Sequence, residues 1–190
     1  MAQTSACSRP PPPITRTFMR AFAPWYKNRV SVERAVWGAE TCEVRFPNEI
    51  AMEDLFNLRR FIEAQETVYA DVCAELRHGR KTSHWMWFIF PQIRGLGSSE
   101  TAQYFSIASR REAAAYAAHP VLGARLRECT ALVLQIENRS VEQIFGYPDN
   151  LKFHSSMTLF AQSSEDNQVF LDALKKYFEG RLDPLTLDRL

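Results

Sequence analysis

Hydrophobic residues recur every three or four positions through most of the chain after residue 53, the periodicity of helices that bury one face. The first such stripe predicts one helix, begun by an Asp54 cap and ended at His78-Gly79. Its members are Leu55, Leu58, Ile62, Gln65, Tyr69, Val72 and Leu76. Gln65 is the polar member, and we interpret its amide as a structural strut, with a ligand contact as the alternative.

The later helices are recognised from residues that are typical of helix N-termini. A serine followed three positions later by glutamate or glutamine has the spacing of a capping box, in which each side chain bonds a free N–H of the first turn. Such pairs are Ser109 with Glu112 and Ser140 with Gln143. The other predicted helices begin near Ser99, cover 122–136, 149–160 and 170–178, and start again at Asp183-Pro184. The pattern predicts an all-α fold, a compact bundle of about six to seven helices, some of them short.

Residues 79–99, GRKTSHWMWFIFPQIRGLGSS, hold the greatest concentration of aromatic surface beside polar side chains. Trp85 and Trp87 lie in a six-residue apolar run, which predicts either a short helix capped by Ser83 or a buried strand, ended by Pro91. The polar neighbours are Lys81, Ser83, His84, Gln92 and Arg94. A core role explains the tryptophans but not this polar border, so we predict one wall of a site here.

A second block, YPDNLKFHSSMTLF at residues 147–160, is predicted to supply the other wall. Asp149 is expected to cap its helix, and Lys152, Ser155 and Ser156 follow on adjacent turns. The expected inward stripe is Phe153, Met157 and Phe160. A serine–lysine nucleophile is one interpretation, but an ordinary helix serine is favoured because no oxyanion hole can be read from the sequence.

The remaining residue types limit which catalytic and metal-binding sites the sequence can form. His84 is a candidate general acid or base, and a core histidine bonded to a carbonyl explains it equally well. The histidines show no i,i+4 pair and no acid at ligand spacing, which argues against a metal site. Gly95-Leu-Gly97 is interpreted as a turn, because it lacks the length of a dinucleotide-binding fingerprint. The cysteines form no CxxC pair, so we expect buried reduced thiols at Cys7, Cys42, Cys73 and Cys129.

Charge is unevenly distributed along the 190 residues, because residues 1–32 have a net charge of +5 and the remainder has a net charge of −4. A mildly acidic body argues against nucleic-acid binding, and no apolar run approaches the ~20 residues of a membrane span. Residues 1–50, with prolines at 10–13 and a short possible strand at 42–46, are expected to be an N-terminal extension. This extension is interpreted as a disordered tail, a mitochondrial or other import signal, or sequence ahead of a start at Met52. The protein is expected in the cytoplasm, with import into an organelle as the alternative.

Three blocks, at residues 64–99, 119–129 and 144–160, make the chain resemble the domain-of-unknown-function family 1810 over about residues 54–190. The resemblance implies a compact, mainly helical domain that starts near Asp54, with the N-terminal extension outside it. It implies no established activity.

The order of the Trp-rich block, the Pro-x-x-Gly-x-x-Leu segment at 120–126 and Lys152-Phe153 is also similar to the NADAR family, which cleaves N-glycosidic bonds of ADP-ribose-like compounds. That similarity implies that the two tryptophans stack a base or ribose, and that Asp149 or Glu75 assists C–N cleavage. It implies phosphate binding by Lys81, Arg94 and Lys152.

We therefore predict a two-block site for a nucleotide-like or phosphorylated small molecule, without a cofactor or metal. The predicted catalytic residues are His84, Asp149 and Lys152. The predicted ligand-binding residues are Lys81, Ser83, Trp85, Trp87, Gln92, Arg94, Ser155 and Ser156. The alternative is a non-catalytic binding or adaptor module that presents an aromatic groove to a protein or peptide.

Overall fold

The computed structural model describes residues 54–190, and this part of the chain is all-α, as predicted. In place of a β-strand it has a single-residue parallel bridge between Ile93 and Ile107. Its helices are α1 (Arg59–Glu66), α2 (Tyr69–Arg77), α3 (Met86–Ile89), α4 (Glu100–Tyr104), α5 (Arg110–Ala118), α6 (Leu122–Gln135), α7 (Val141–Phe145), α8 (Asp149–Ser163), α9 (Gln168–Phe178) and α10 (Pro184–Leu187). These ten described helices exceed the expected six or seven, because several are only about one turn long.

Residues 1–53 lie outside the described part of the chain, and with them the predicted N-terminal extension and its short strand. Two of the four cysteines fall there as well. The other two, Cys73 and Cys129, are buried free thiols, as expected. Among residues 54–190, no helix combines the length and the apolar character needed to cross a membrane.

The first hydrophobic stripe forms two helices, α1 and α2, instead of the single helix predicted, with a break at residues 67–68. Leu55 lies ahead of α1 and is 74% exposed, so its predicted place on the buried face is wrong. The Asp54 carboxylate accepts hydrogen bonds from the N–H groups of Leu58 (2.6 Å) and Arg59 (2.8 Å). Asp54 thus bonds N–H groups at the start of α1, but the N-cap position itself is Leu58 and not Asp54 as predicted.

The predicted capping box is confirmed in full at Ser140, whereas at Ser109 only one of its two hydrogen bonds is present. Ser140 and Gln143 bond each other's backbone N–H groups ahead of α7. Ser109 accepts from the N–H of Glu112 at the start of α5, but the Glu112 carboxylate bonds the N–H of Ala108 instead. The predicted Asp149 cap is wrong, because its side chain makes no cap bond and two lysines hold its carboxylate.

The aromatic run of the first block forms one helical turn, α3, so the alternative of a strand is wrong. Ser83 does not cap this turn, since its hydroxyl donates to Glu75 (2.6 Å). Trp87 and Phe88 are half-buried. The run's remaining side chains lie in the core: Trp85, Met86, Ile89 and Phe90.

Helix α8 is the central element, and it packs against α3, α5, α7, α9 and α10. Its predicted inward residues, Phe153, Met157 and Phe160, are fully buried. The Phe153 ring lies 5.0 Å from that of Phe90 and 4.8 Å from that of Phe145 between centroids. The two sequence blocks thus pack against each other through aromatic contacts.

Gln65 is a structural strut, as interpreted from the sequence. Its side-chain nitrogen donates to the carbonyl of Phe88 (2.7 Å) and to the hydroxyl of Tyr116 (3.0 Å). Its side-chain oxygen accepts from Arg125 (3.3 Å). These bonds tie α1 to α3, α5 and α6 and leave the buried amide well satisfied.

A buried ion pair joins α1 to α5. The guanidinium of Arg60 lies 2.6 Å from the carboxylate of Glu112, and their side chains are 8% and 4% exposed. The other Arg60 donors bond the carbonyls of Phe56, Asn57, Tyr104 and Ser106. Such additional bonds offset the cost of removing both charges from water.

Replacement of Glu112 by alanine should lower the free energy of unfolding by about 3–5 kcal/mol, because it leaves the Arg60 charge buried without its partner. Chemical denaturation followed by circular dichroism measures this loss. The matched control is Glu63→Ala, which removes the exposed Arg59–Glu63 pair on the same helix and should cost at most about 1 kcal/mol. Equal losses in the two variants would contradict the assignment.

Candidate functional site

The structure brings Lys81 of the first block together with Asp149 and Lys152 of the second. The Lys81 Nζ lies 2.7 Å from Asp149 Oδ2, and the Lys152 Nζ lies 2.6 Å from Asp149 Oδ1. The side chains of Lys81, Asp149 and Lys152 are 9%, 16% and 21% exposed. The N–H of Lys81 also donates to the carbonyl of Ile144 (2.7 Å). We call these three side chains the lysine cluster.

Trp87 borders the lysine cluster. The Lys152 ammonium lies 4.7 Å from the centre of the Trp87 ring, which is half-buried and so keeps part of its surface in solvent. Trp85 is 1% exposed, and Lys81 lies 5.6 Å from its ring. The ring of Trp85 has no face open to a ligand, so the structure corrects its expected stacking role to one in the core.

Glu75 of α2 fixes the loop that carries Lys81. Its carboxylate accepts hydrogen bonds from the N–H groups of Thr82 (2.7 Å) and Ser83 (3.2 Å), from the Ser83 hydroxyl (2.6 Å) and from Trp85 Nε1 (2.9 Å). Partial burial by itself raises the pKa of Glu75, but these hydrogen bonds outweigh it and lower that pKa to about 2. The carboxylate is therefore ionised at neutral pH and holds the loop in place.

Asp149 is held in its ionised form. Burial raises its pKa, but the hydrogen bonds and charges of Lys152 and Lys81 outweigh burial, so the net shift of the Asp149 pKa is downward. Its position in the first turn of α8 also favours a negative charge. Ser156 follows Lys152 by one turn on the same face of α8, is fully buried, and has no hydrogen-bond partner within residues 54–190.

Several other predicted site residues form no hydrogen bond or ion pair with the lysine cluster in residues 54–190. The Ser155 hydroxyl donates to Asp183 (2.8 Å), which caps α10, so this serine joins two helices. In residues 54–190 the side chains of Gln92 and Arg94 form no hydrogen bond or ion pair with the cluster. His84 is exposed, which makes the core-histidine interpretation wrong. The described residues hold no group of three or more His, Cys, Asp or Glu that could bind a metal ion.

The loop after α2 also lines an open groove of about 630 Å³. Arg80 and Thr82 contribute to it, whereas Lys81 between them reaches Asp149. His78 and Arg139 also line it, beside Glu75. The sequence analysis missed Arg139, because it lies between α6 and α7 and only the fold brings it to the end of α2. The volume suits a small ligand.

Replacement of Glu75 by glutamine should destabilise the protein in a pH-dependent way. A carboxyl with a pKa near 2 when folded and 4.5 when unfolded stabilises the fold above about pH 4.5, and this contribution is lost as the pH falls toward 2. The gap in unfolding free energy between the parent protein and Glu75→Gln should therefore be largest near neutral pH and narrow in acid. Urea unfolding at a series of pH values measures it. Glu66→Gln, on an exposed part of α1, is the control, and a gap that stays constant with pH would contradict the prediction.

The family of this domain is shown by a family model, and one solved structure is similar to the chain. None of the curated proteins is similar to this chain. A solved structure, of the conserved hypothetical protein Rv1873 from Mycobacterium tuberculosis, is 55% identical, with 72% of this chain and 98% of that chain covered and a TM-score of 0.71. The model of the family described as "Protein of unknown function (DUF1810)" matches residues 55–190. The chain therefore belongs to the DUF1810 family, whose domain spans nearly all of the described residues.

Proposed function

We propose that this protein binds a small phosphorylated, nucleotide-like molecule at the lysine cluster and hydrolyses an N-glycosidic bond in it. The observation that carries the proposal is that two nearly buried ammonium groups share one carboxylate. Within residues 54–190, Asp149 is the acid that lies within 4.0 Å of Lys81 or Lys152. The cluster thus keeps one excess positive charge with little solvent around it, which favours a bound anion.

The surroundings of the cluster support a ligand that is both anionic and flat. Trp87 offers partly exposed ring surface beside the Lys152 ammonium, so a base or ribose could stack there while its phosphate contacts the lysines. The unpaired Ser156 hydroxyl supports a polar ligand as well. A buried hydroxyl without a partner costs about 1–3 kcal/mol, and a ligand oxygen near Lys152 could satisfy it.

The proposed hydrolysis uses Asp149 as an ionised carboxylate. Cleavage of a glycosidic bond builds positive charge on the sugar ring, and a carboxylate stabilises that charge or takes the proton of the attacking water. The two lysines keep Asp149 ionised, so it is suited to these roles and not to that of an acid. His84, exposed on the loop before α3, is the proposed proton donor to the departing base.

A binding module without catalysis is the second candidate function. Tyr147 and Leu151 are 77% and 51% exposed on either side of Asp149. Exposed apolar side chains next to a charged cluster are also found where a peptide or protein docks. A small-molecule site predicts that nucleotide-like ligands stabilise the protein, whereas a peptide- or protein-binding module predicts that they do not.

Lys152→Ala and Trp87→Ala should each remove ligand-induced stabilisation while leaving the helical circular dichroism spectrum unchanged. A ligand at about 100 times its Kd stabilises a protein by about 2.7 kcal/mol, which raises the melting temperature by several degrees. Thermal unfolding against ADP-ribose and a panel of nucleotides measures the shift. Lys175→Ala, which removes an exposed cation from α9, is the matched control and should keep it. If no compound stabilises the unsubstituted protein, the small-molecule function is wrong and the binding module is favoured.

Asp149→Asn should separate binding from hydrolysis. The substitution keeps the shape of the side chain and removes its negative charge, so anion binding is retained while release of the free base falls by about 100-fold or more. Chromatography of the released base, with a compound shown to bind, measures the rate. Asp172→Asn, on the exposed face of α9, is the control. An unchanged rate in Asp149→Asn would contradict the catalytic role.

A further inference from the structure

The open groove at the end of α2 is separate from the lysine cluster. Its lining includes Arg80, Thr82 and Arg139, whereas none of the three side chains of the cluster lines it. A smaller groove of about 370 Å³ adjoins it, because His78 and Arg139 line both. The fold thus builds a concave surface around Arg139, which is the shape of a small-ligand site.

The backbone at Gly79 fixes the position of Arg139. The Arg139 Nη1 donates a hydrogen bond to the carbonyl of Gly79 (3.2 Å). Gly79 has a φ of +70°, and a Cβ at this residue would lie 3.4 Å from Arg139 Cδ and 3.2 Å from Ile136 Cγ2. The remaining donors of this exposed guanidinium have no partner among residues 54–190, so they are available to a ligand.

Arg80 adds a second guanidinium to the groove. Its N–H donates to the carbonyl of Glu75 (3.1 Å), while its exposed side chain forms no hydrogen bond or ion pair in the described part of the chain. The Thr82 hydroxyl is likewise without a partner there, although the Thr82 N–H is bonded to Glu75. Two guanidinium groups and a hydroxyl therefore offer donors to one groove. Phosphate matches this set, because its oxygens accept several hydrogen bonds and pair well with guanidinium groups.

The acids near the groove do not cancel the two arginines. The Glu75 carboxylate lines the groove but already accepts four hydrogen bonds from the loop that follows α2. Asp71 lies in the first turn of α2, about 9 Å along the axis from the last residue of the helix. Glu137 lines only the adjoining groove and forms no ion pair with Arg139 within residues 54–190. The end of the groove that holds Arg80 and Arg139 therefore keeps an excess of positive charge.

We propose that this groove is a second anion site, which binds a phosphorylated small molecule through the guanidinium groups of Arg80 and Arg139 and the hydroxyl of Thr82. The proposal does not depend on hydrolysis at the lysine cluster. Arg80 and Thr82 flank Lys81 in the sequence, so a ligand in the groove contacts the loop that presents Lys81 to Asp149.

The test starts from the Lys152→Ala protein, because this substitution removes the excess charge of the lysine cluster and leaves the groove unchanged. Isothermal titration calorimetry at constant ionic strength should show pyrophosphate binding to this protein at one site. In the same background, Arg80→Gln and Arg139→Gln should each weaken binding by about 10-fold or more, since each removes charge-assisted hydrogen bonds. Arg111→Gln, which removes an exposed cation from α5, is the matched control and should bind as before.

Circular dichroism checks that the variants are folded. If Arg139→Gln fails to fold, Arg80→Gln decides the result, because the Arg80 side chain has no hydrogen bond within residues 54–190 to lose. Pyrophosphate binding that both of these variants keep would overturn the proposal. Binding to the parent protein but not to Lys152→Ala would also overturn it, and the proposed function of the lysine cluster would still stand. Malonate should bind more weakly than pyrophosphate, and equal binding would overturn the choice of a phosphate group.

Discussion

The carboxylate of Glu75 is the contact on which the geometry of the candidate site depends. It gathers four hydrogen bonds from the loop between α2 and α3 and so closes that loop onto α2. One of these bonds comes from Trp85, whose ring is part of the aromatic core beside Phe90 and Phe145. The same carboxylate therefore anchors the core and presents Lys81 to Asp149.

Two groups of buried charge in this domain have different consequences. Arg60 meets Glu112 and several backbone carbonyls, so its donors are used within the fold and the pair is structural. The lysine cluster instead has two cations for one carboxylate, next to a tryptophan with exposed surface. Compensated charge stabilises the fold, whereas excess charge in a poorly solvated position favours an anionic ligand.

Much of the helical structure could be predicted from the sequence because its signals are local. The Ser140–Gln143 capping box and the buried stripe of α8 depend on residues within one or two turns, and both are as predicted. The break at residues 67–68 was not predictable from periodicity, because the apolar spacing continues across it. The predicted Asp149 cap is wrong because of a contact between residues that are far apart in the sequence. Lys81 bonds the carboxylate that was expected to cap the helix.

The sequence by itself determined that residues 54–190 form a helical domain, and it identified the two blocks that supply Lys81, Asp149 and Lys152. Only the tertiary structure decided which of the two tryptophans keeps exposed surface, and it alone brought Arg139 to the groove beside Glu75. The physical reason is that periodicity and capping depend on neighbours along the chain. Burial, ion pairing and pKa shifts depend on side chains that come together only when distant helices pack.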